Sequence, residues 1–144
     1  MIFLDANLLI YSVNSDAPLH QQAKDWVQTT LDRQRGPVAL NWFALVAFVR
    51  IITNPKIMNT PRSLDEALNH VNSWLRLPAV TLISPGVNHA RDFEALCRAS
   101  SAKGNLVTDA HLAALAIEHD CELASCDSDF ARFPGLRWIN PLAS

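Results

Sequence analysis

Apolar residues fall along this chain in short blocks that alternate with longer amphipathic stretches. Ile2–Leu4 is an apolar triplet closed by Asp5, which reads as a buried strand, and a short helix over residues 8–13 follows. Ala23, Trp26, Val27 and Leu31 recur at helical spacing and predict an amphipathic helix over residues 20–34. Gly36-Pro37 punctuates the chain, and Val38–Leu40 reads as a second strand. Asn41 supplies a cap for a helix reaching about residue 53, where Asn54-Pro55 stops it. Ser63 and Glu66 make a capping box for a helix over residues 64–77. Pro78 opens a third strand over residues 80–83, and Asn88 is the expected cap of a helix over residues 90–100. After the break at Gly104, Thr108 is the expected cap of a helix over residues 109–119, with Ala110, Ala113, Ala114 and Ile117 on one face. Residues 122–125 and 136–139 read as the fourth and fifth strands. Strands and helices alternating in this way predict a single α/β domain spanning residues 1–144. Its five-stranded parallel sheet would carry helices on both faces, an α/β/α sandwich.

Composition narrows the function classes. The chain has 144 residues, 49% of them hydrophobic and 18% charged, as expected of one folded domain. Its net charge of −2 leaves no basic coat for non-specific nucleic-acid binding. Four glycines admit neither a dinucleotide-binding G-x-G-x-x-G nor a P-loop. Cys97, Cys121 and Cys126 are odd in number and form no metal-ligand spacing, which points to a reducing, cytoplasmic setting without a disulfide framework. The longest apolar run, residues 42–49, is far short of a membrane span, and no signal peptide is expected because Asp5 interrupts the first apolar stretch.

The acidic residues carry the chemistry. In folds of this class the carboxyl ends of the strands share one edge, where ligands bind. Asp5 ends the first strand, Asp127 and Asp129 follow the fourth, and Asp109 opens a helix that leads into a strand. Each alone has an ordinary reading, as a helix cap for Asp109 or a turn residue for Asp127 and Asp129. Asp5 is harder to set aside, since a lone charge in an apolar run is costly to bury. Two unit charges about 4 Å apart repel by roughly 4 kcal/mol at an effective dielectric near 20, so a cluster requires a cation or displaced pKa values. Oxygen-only ligands favour Mg2+ or Mn2+, and a carboxylate-held ion of that kind suits phosphodiester or phosphomonoester hydrolysis.

Four fragments, taken in order and spacing, give the chain a family resemblance. They are Met-Ile-Phe-Leu-Asp5-Ala-Asn7, Phe-Val-Arg50-Ile-Ile-Thr-Asn-Pro55, Gly104-Asn-Leu-Val-Thr-Asp109-Ala-His, and Leu-Ala-Ser125-Cys-Asp127-Ser-Asp129-Phe. Together with the closing Phe-Pro-Gly-Leu-Arg-Trp-Ile-Asn-Pro141-Leu, they make the sequence resemble PIN-domain ribonucleases, specifically VapC-type toxins of toxin–antitoxin pairs. The resemblance implies a Mg2+-dependent endoribonuclease, with Mn2+ as a possible substitute, inhibited by a VapB-type antitoxin. It implies metal ligation by Asp5, Asp109 and Asp127 with Asp129 nearby, and orienting roles for Asn7 and Ser125. Where the family usually carries a Glu, three residues before Arg50, this chain has Ala47, one acid fewer.

The remaining features have two readings each. The apolar helix beginning at Trp42, and Trp74 on the next helix, are either core or a surface for an antitoxin helix or for a homodimer. Arg50, Arg62, Arg76, Arg91, Arg98 and Lys103 are a solvated surface or a positive rim that places RNA phosphates. His20, His89, His111 and His119 sit in polar contexts, as surface or capping residues. Two other functions compete with the ribonuclease: a catalytically impaired module that binds RNA or protein, suggested by Ala47, and a Mg2+-dependent phosphatase. The phosphatase would need a second Asp where Asn7 stands.

Overall fold

The computed structural model describes residues 1–34 and 36–143. Five three-residue strands, β1 (Ile2–Leu4), β2 (Val38–Leu40), β3 (Val80–Leu82), β4 (Glu122–Ala124) and β5 (Arg137–Ile139), form one sheet in the order β3-β2-β1-β4-β5. Every pairing is parallel; Ile2 lies beside Val38 on one side and beside Glu122 on the other. Among the described residues, six helices cover the sheet: α1 (Ala6–Val13), α2 (His20–Thr29), α3 (Trp42–Ile52), α4 (Leu64–Leu75), α5 (His89–Ser100) and α6 (Asn105–Glu118).

Strand alternation explains the layers. Successive side chains point to opposite faces of a sheet. Leu4, Val38, Leu40 and Ala124 enter a core with α1 to α4, whereas Phe3, Ala39 and Leu123 enter a second core with α5 and α6. Both faces of β1 and β2 are therefore covered, which is why these two strands read as continuous apolar runs. Within the first core Phe48 is fully buried, edge-on to Trp74 with ring centroids 4.8 Å apart. Trp74 is thus core rather than surface. The apolar helix α3 divides: Ala44, Leu45, Phe48 and Ile52 are buried, while Trp42, Phe43 and Val46 stay exposed.

Several boundaries differ from the sequence expectation, each for a local reason. The helix expected over residues 20–34 is α-helical only to Thr29 and finishes as a π-helical turn, Thr30–Gln34. There the Thr30 hydroxyl donates to the Trp26 carbonyl at 2.7 Å, the kind of back-bonding that perturbs a helix. Asn41 and Ser63 cap α3 and α4 as expected, accepting from the backbone N–H of Ala44 and Glu66. Asn88 makes no side-chain cap; instead its N–H and that of Gly86 donate to the Glu118 carboxylate. Thr108 is not a cap either. Gly104, at φ +57° and ψ −128°, turns the chain in a conformation open mainly to glycine, and α6 begins immediately after it. Asp109 therefore sits one turn inside α6 rather than at its start.

The topology locates the site. From β1 the chain steps to β2 and β3 on one side, then crosses to β4 and β5 on the other. The reversal lies between β1 and β4, and beyond the strand ends at such a point folds of this class bind their ligands. Asp5 ends β1, and Ser125 and Asp127 follow β4.

Candidate active site

Ser125 organises this end of the sheet. It is fully buried, and its hydroxyl has both its donor and its acceptor capacity in use. Its Oγ donates to Asp5 Oδ2 at 2.7 Å and accepts from Asn7 Nδ2 at 3.1 Å and from the Asp127 N–H at 3.0 Å. Asn7 Oδ1 accepts from the Cys126 N–H, and Trp138 Nε1 donates to the Ser125 carbonyl at 3.0 Å. The other oxygen of Asp5 caps α1 by accepting from the Ala6 N–H at 2.8 Å. β1, α1, β4 and β5 thus meet on one polar network, closed by residues 118–120 apart in sequence.

Three carboxylates converge beside it. One oxygen each from Asp109, Asp127 and Asp129 lies within 4.8 Å of the others. α6 supplies Asp109; Asp127 caps a short 3-10 turn, Ser128–Arg132, by accepting from the Asp129 N–H at 2.9 Å. The turn reading and the cluster reading of Asp127 and Asp129 therefore both hold. Asp5 lies outside the three-oxygen group, yet its charge acts on Asp109. Burial is the main force that raises the pKa of Asp5, with the charge of Asp127 adding to it, against the lowering effect of the Ser125 and Ala6 hydrogen bonds. Asp109 is pushed up to about 7, by burial first and then by Asp127, Asp5 and Asp129.

Such a group fits a hard divalent cation. An octahedral ion with ligands at about 2.1 Å spaces adjacent oxygens roughly 3 Å apart, so oxygens within 4.8 Å of one another need to close by at most about 2 Å. A cation would also offset the burial and the repulsion that raise the pKa of Asp109.

The family model of the PIN domain matches residues 2–136. The chain is 39% identical over 146 residues to ribonuclease VapC37 of Mycobacterium tuberculosis (strain ATCC 25618 / H37Rv), covering 99% of each. It is 37% identical over 142 residues to ribonuclease VapC33 of the CDC 1551 / Oshkosh strain, again covering 99% of each. The chain is a PIN domain of the VapC family. Solved structures agree on the fold. VapBC2 from Rickettsia felis, bound to a promoter DNA fragment, matches with a TM-score of 0.69 at 16% identity, covering 97% of this chain and 98% of that one. Mycobacterium tuberculosis VapC20, described as a sarcin-ricin loop cleaving toxin, matches at 0.65 with 18% identity, covering 95% and 99%.

Not every expected residue of this PIN domain joins the cluster. Arg50 is exposed in the last turn of α3, about 13 Å along the helix from Asn41 at 1.5 Å per residue. Among the described residues no ion pair links it to the four acids. Arg62, Arg91 and Arg98 pair instead with nearby Glu66, Asp92 and Glu94. Sequence reasoning missed Arg132, whose Nε lies 3.7 Å from Asp129 Oδ1; their i, i+3 spacing was the available signal. It also missed the pairing of His89 with His111. These two are not simple surface residues: His89 Nε2 and His111 Nδ1 are 3.0 Å apart, and both rings are half-buried.

Proposed function

We propose that this VapC-family PIN domain is a Mg2+-dependent endoribonuclease, the toxin of a type II toxin–antitoxin pair. The observation that carries this reading is the meeting of Asp109, Asp127 and Asp129 at the point where strand order reverses, with Asp5 fastened alongside. Relatives named as ribonucleases along the full chain support the substrate class.

In this reading Asp109, Asp127 and Asp129 hold the cation, and Asp5 adds a fourth charge. Each Asp5 oxygen keeps a second lone pair for the ion or for water, because Ser125 and Ala6 each use only one. A divalent ion held there supplies charge to a phosphate oxygen and acidifies a water for attack on the phosphodiester. Asn7 and Ser125 act by fixing the Asp5 and Asp127 carboxylates. Asp109 releases its proton when the cation binds, so metal and proton compete on that carboxylate near pH 7.

The exposed residues Trp42 and Val46 of α3 offer apolar area to a VapB-type antitoxin helix, and the protein pairs as a homodimer. Structural neighbours include complexes described as VapBC and as toxin–antitoxin, which supports the partner. The relevant assay incubates purified protein with RNA in Mg2+ and compares Asp5→Asn and Asp109→Asn. Both variants are expected to lose cleavage, as is wild type in EDTA. Undiminished cleavage by both would sink the site. Sedimentation as a monomer at every concentration would remove the homodimer.

A further inference from the structure

A second recess is lined by α6 residues that lie within two positions of Asp109 in sequence. Thr108 and His111 of α6, with Val107, form one wall; Phe43 of α3 and His89 and Phe93 of α5 form the rest, around about 490 Å³. We propose that this recess receives a nucleobase of the RNA strand whose phosphate lies over the carboxylates. The inference rests on the ribonuclease reading and adds where the substrate's base is held.

The lining chemistry is that of a base site. Neither Lys nor Arg lines the recess, whereas the acidic cluster to which the same helix contributes Asp109 would take phosphate through a metal. Four rings surround the space in mutual contact. His89 stacks on Phe93 at 6.0 Å and 12°, His111 meets Phe43 edge-on at 5.6 Å and 64°, and the two imidazoles cross at 4.8 Å and 79°. Single-stranded RNA is recognised by stacking splayed bases on such rings and by hydrogen bonds to their edges.

The imidazole pair supplies the polar part. One hydrogen bond joins His89 Nε2 to His111 Nδ1. Whichever ring donates it, two neutral imidazoles keep one donor and one acceptor on their outer nitrogens. One of these, His89 Nδ1, is buried and has no hydrogen-bond partner. Native structures rarely leave such an atom unpaired, and a base edge carries both complementary groups.

The test measures fluorescence anisotropy of labelled ten-nucleotide RNAs in Mg2+, in an Asp5→Asn background that suppresses cleavage. The probes are homopolymers of each base and an abasic ribose-phosphate strand. The intact recess should bind at least one homopolymer about tenfold tighter than the abasic strand, the size expected of one stacked base. Phe93→Leu and His89→Ala should each reduce that preference to about twofold, with affinity for the abasic strand unchanged. Phe93→Tyr, which keeps the ring, should retain the preference and guards against a merely misfolded Leu variant. An unchanged preference in folded Phe93→Leu and His89→Ala overturns the proposal. So does conversion of a dimer to a monomer by these variants at constant preference, since that assigns the recess to a second copy of the chain. If the wild-type protein still cleaves RNA, only the base site falls; if it neither cleaves nor binds any probe, the ribonuclease reading falls with it.

Discussion

Replacing Asp109 by Asn should stabilise the metal-free protein at neutral and higher pH, and by a pH-dependent amount. The carboxyl has an ordinary value of 3.8 and is pushed to about 7 in the folded state. Between those values the unfolded chain has released this proton and the folded chain still holds it. The folded state therefore binds more protons, so stability falls as pH rises through this window and the full cost applies above pH 7. Each pH unit corresponds to about 1.4 kcal/mol, giving at most about 4 kcal/mol. Asp109 is only half-buried, and screening by solvent brings this to about 2 kcal/mol. For a chain of this length that is a gain of roughly 4–8 °C in the thermal midpoint of Asp109→Asn. Melts followed by circular dichroism in EDTA at pH 4, 6 and 8 read it directly. The variant should gain little at pH 4 and most at pH 8. Added Mn2+ should raise the wild-type midpoint more than that of the variant. An offset that does not vary with pH, or an Asn variant less stable than wild type at pH 8, would refute the electrostatic account of the cluster.

Three further outcomes follow from single residues. Ser125→Ala leaves Asp5 Oδ2, Asn7 Nδ2 and the Asp127 N–H without their partner, and should cost about 1–3 kcal/mol in urea titration, along with a loss of cleavage. Ala47→Glu should tighten Mn2+ binding measured by calorimetry; equal affinities would mean that position 47 does not face the cation. Gly104→Ala forces a Cβ into a conformation at φ +57° and ψ −128°, and should lower stability by about 1–3 kcal/mol, read as a fall in the thermal midpoint.

Local signals in the sequence were enough for the elements and their layering. The apolar triplets at Ile2–Leu4 and Val38–Leu40 read as buried strands and are strands, and Asn41 and Ser63 cap where their side chains reach the backbone three residues on. Asp5, Asp109, Asp127 and Asp129 could be expected at one edge, because strand ends in a parallel sheet share an edge whatever the strand order. Helix starts were less legible at Thr108, because a polar residue looks like a cap, whereas the backbone freedom of Gly104 sets the true start four residues earlier. What only the tertiary structure decided was the grouping within that edge. Three acids each place one oxygen near the others while Ser125 and Ala6 hold the fourth, and this depends on β4 lying beside β1, a long-range pairing with no local trace in the chain. The His89–His111 contact has the same origin: two histidines in polar surroundings became a half-buried pair only when α5 packed against α6.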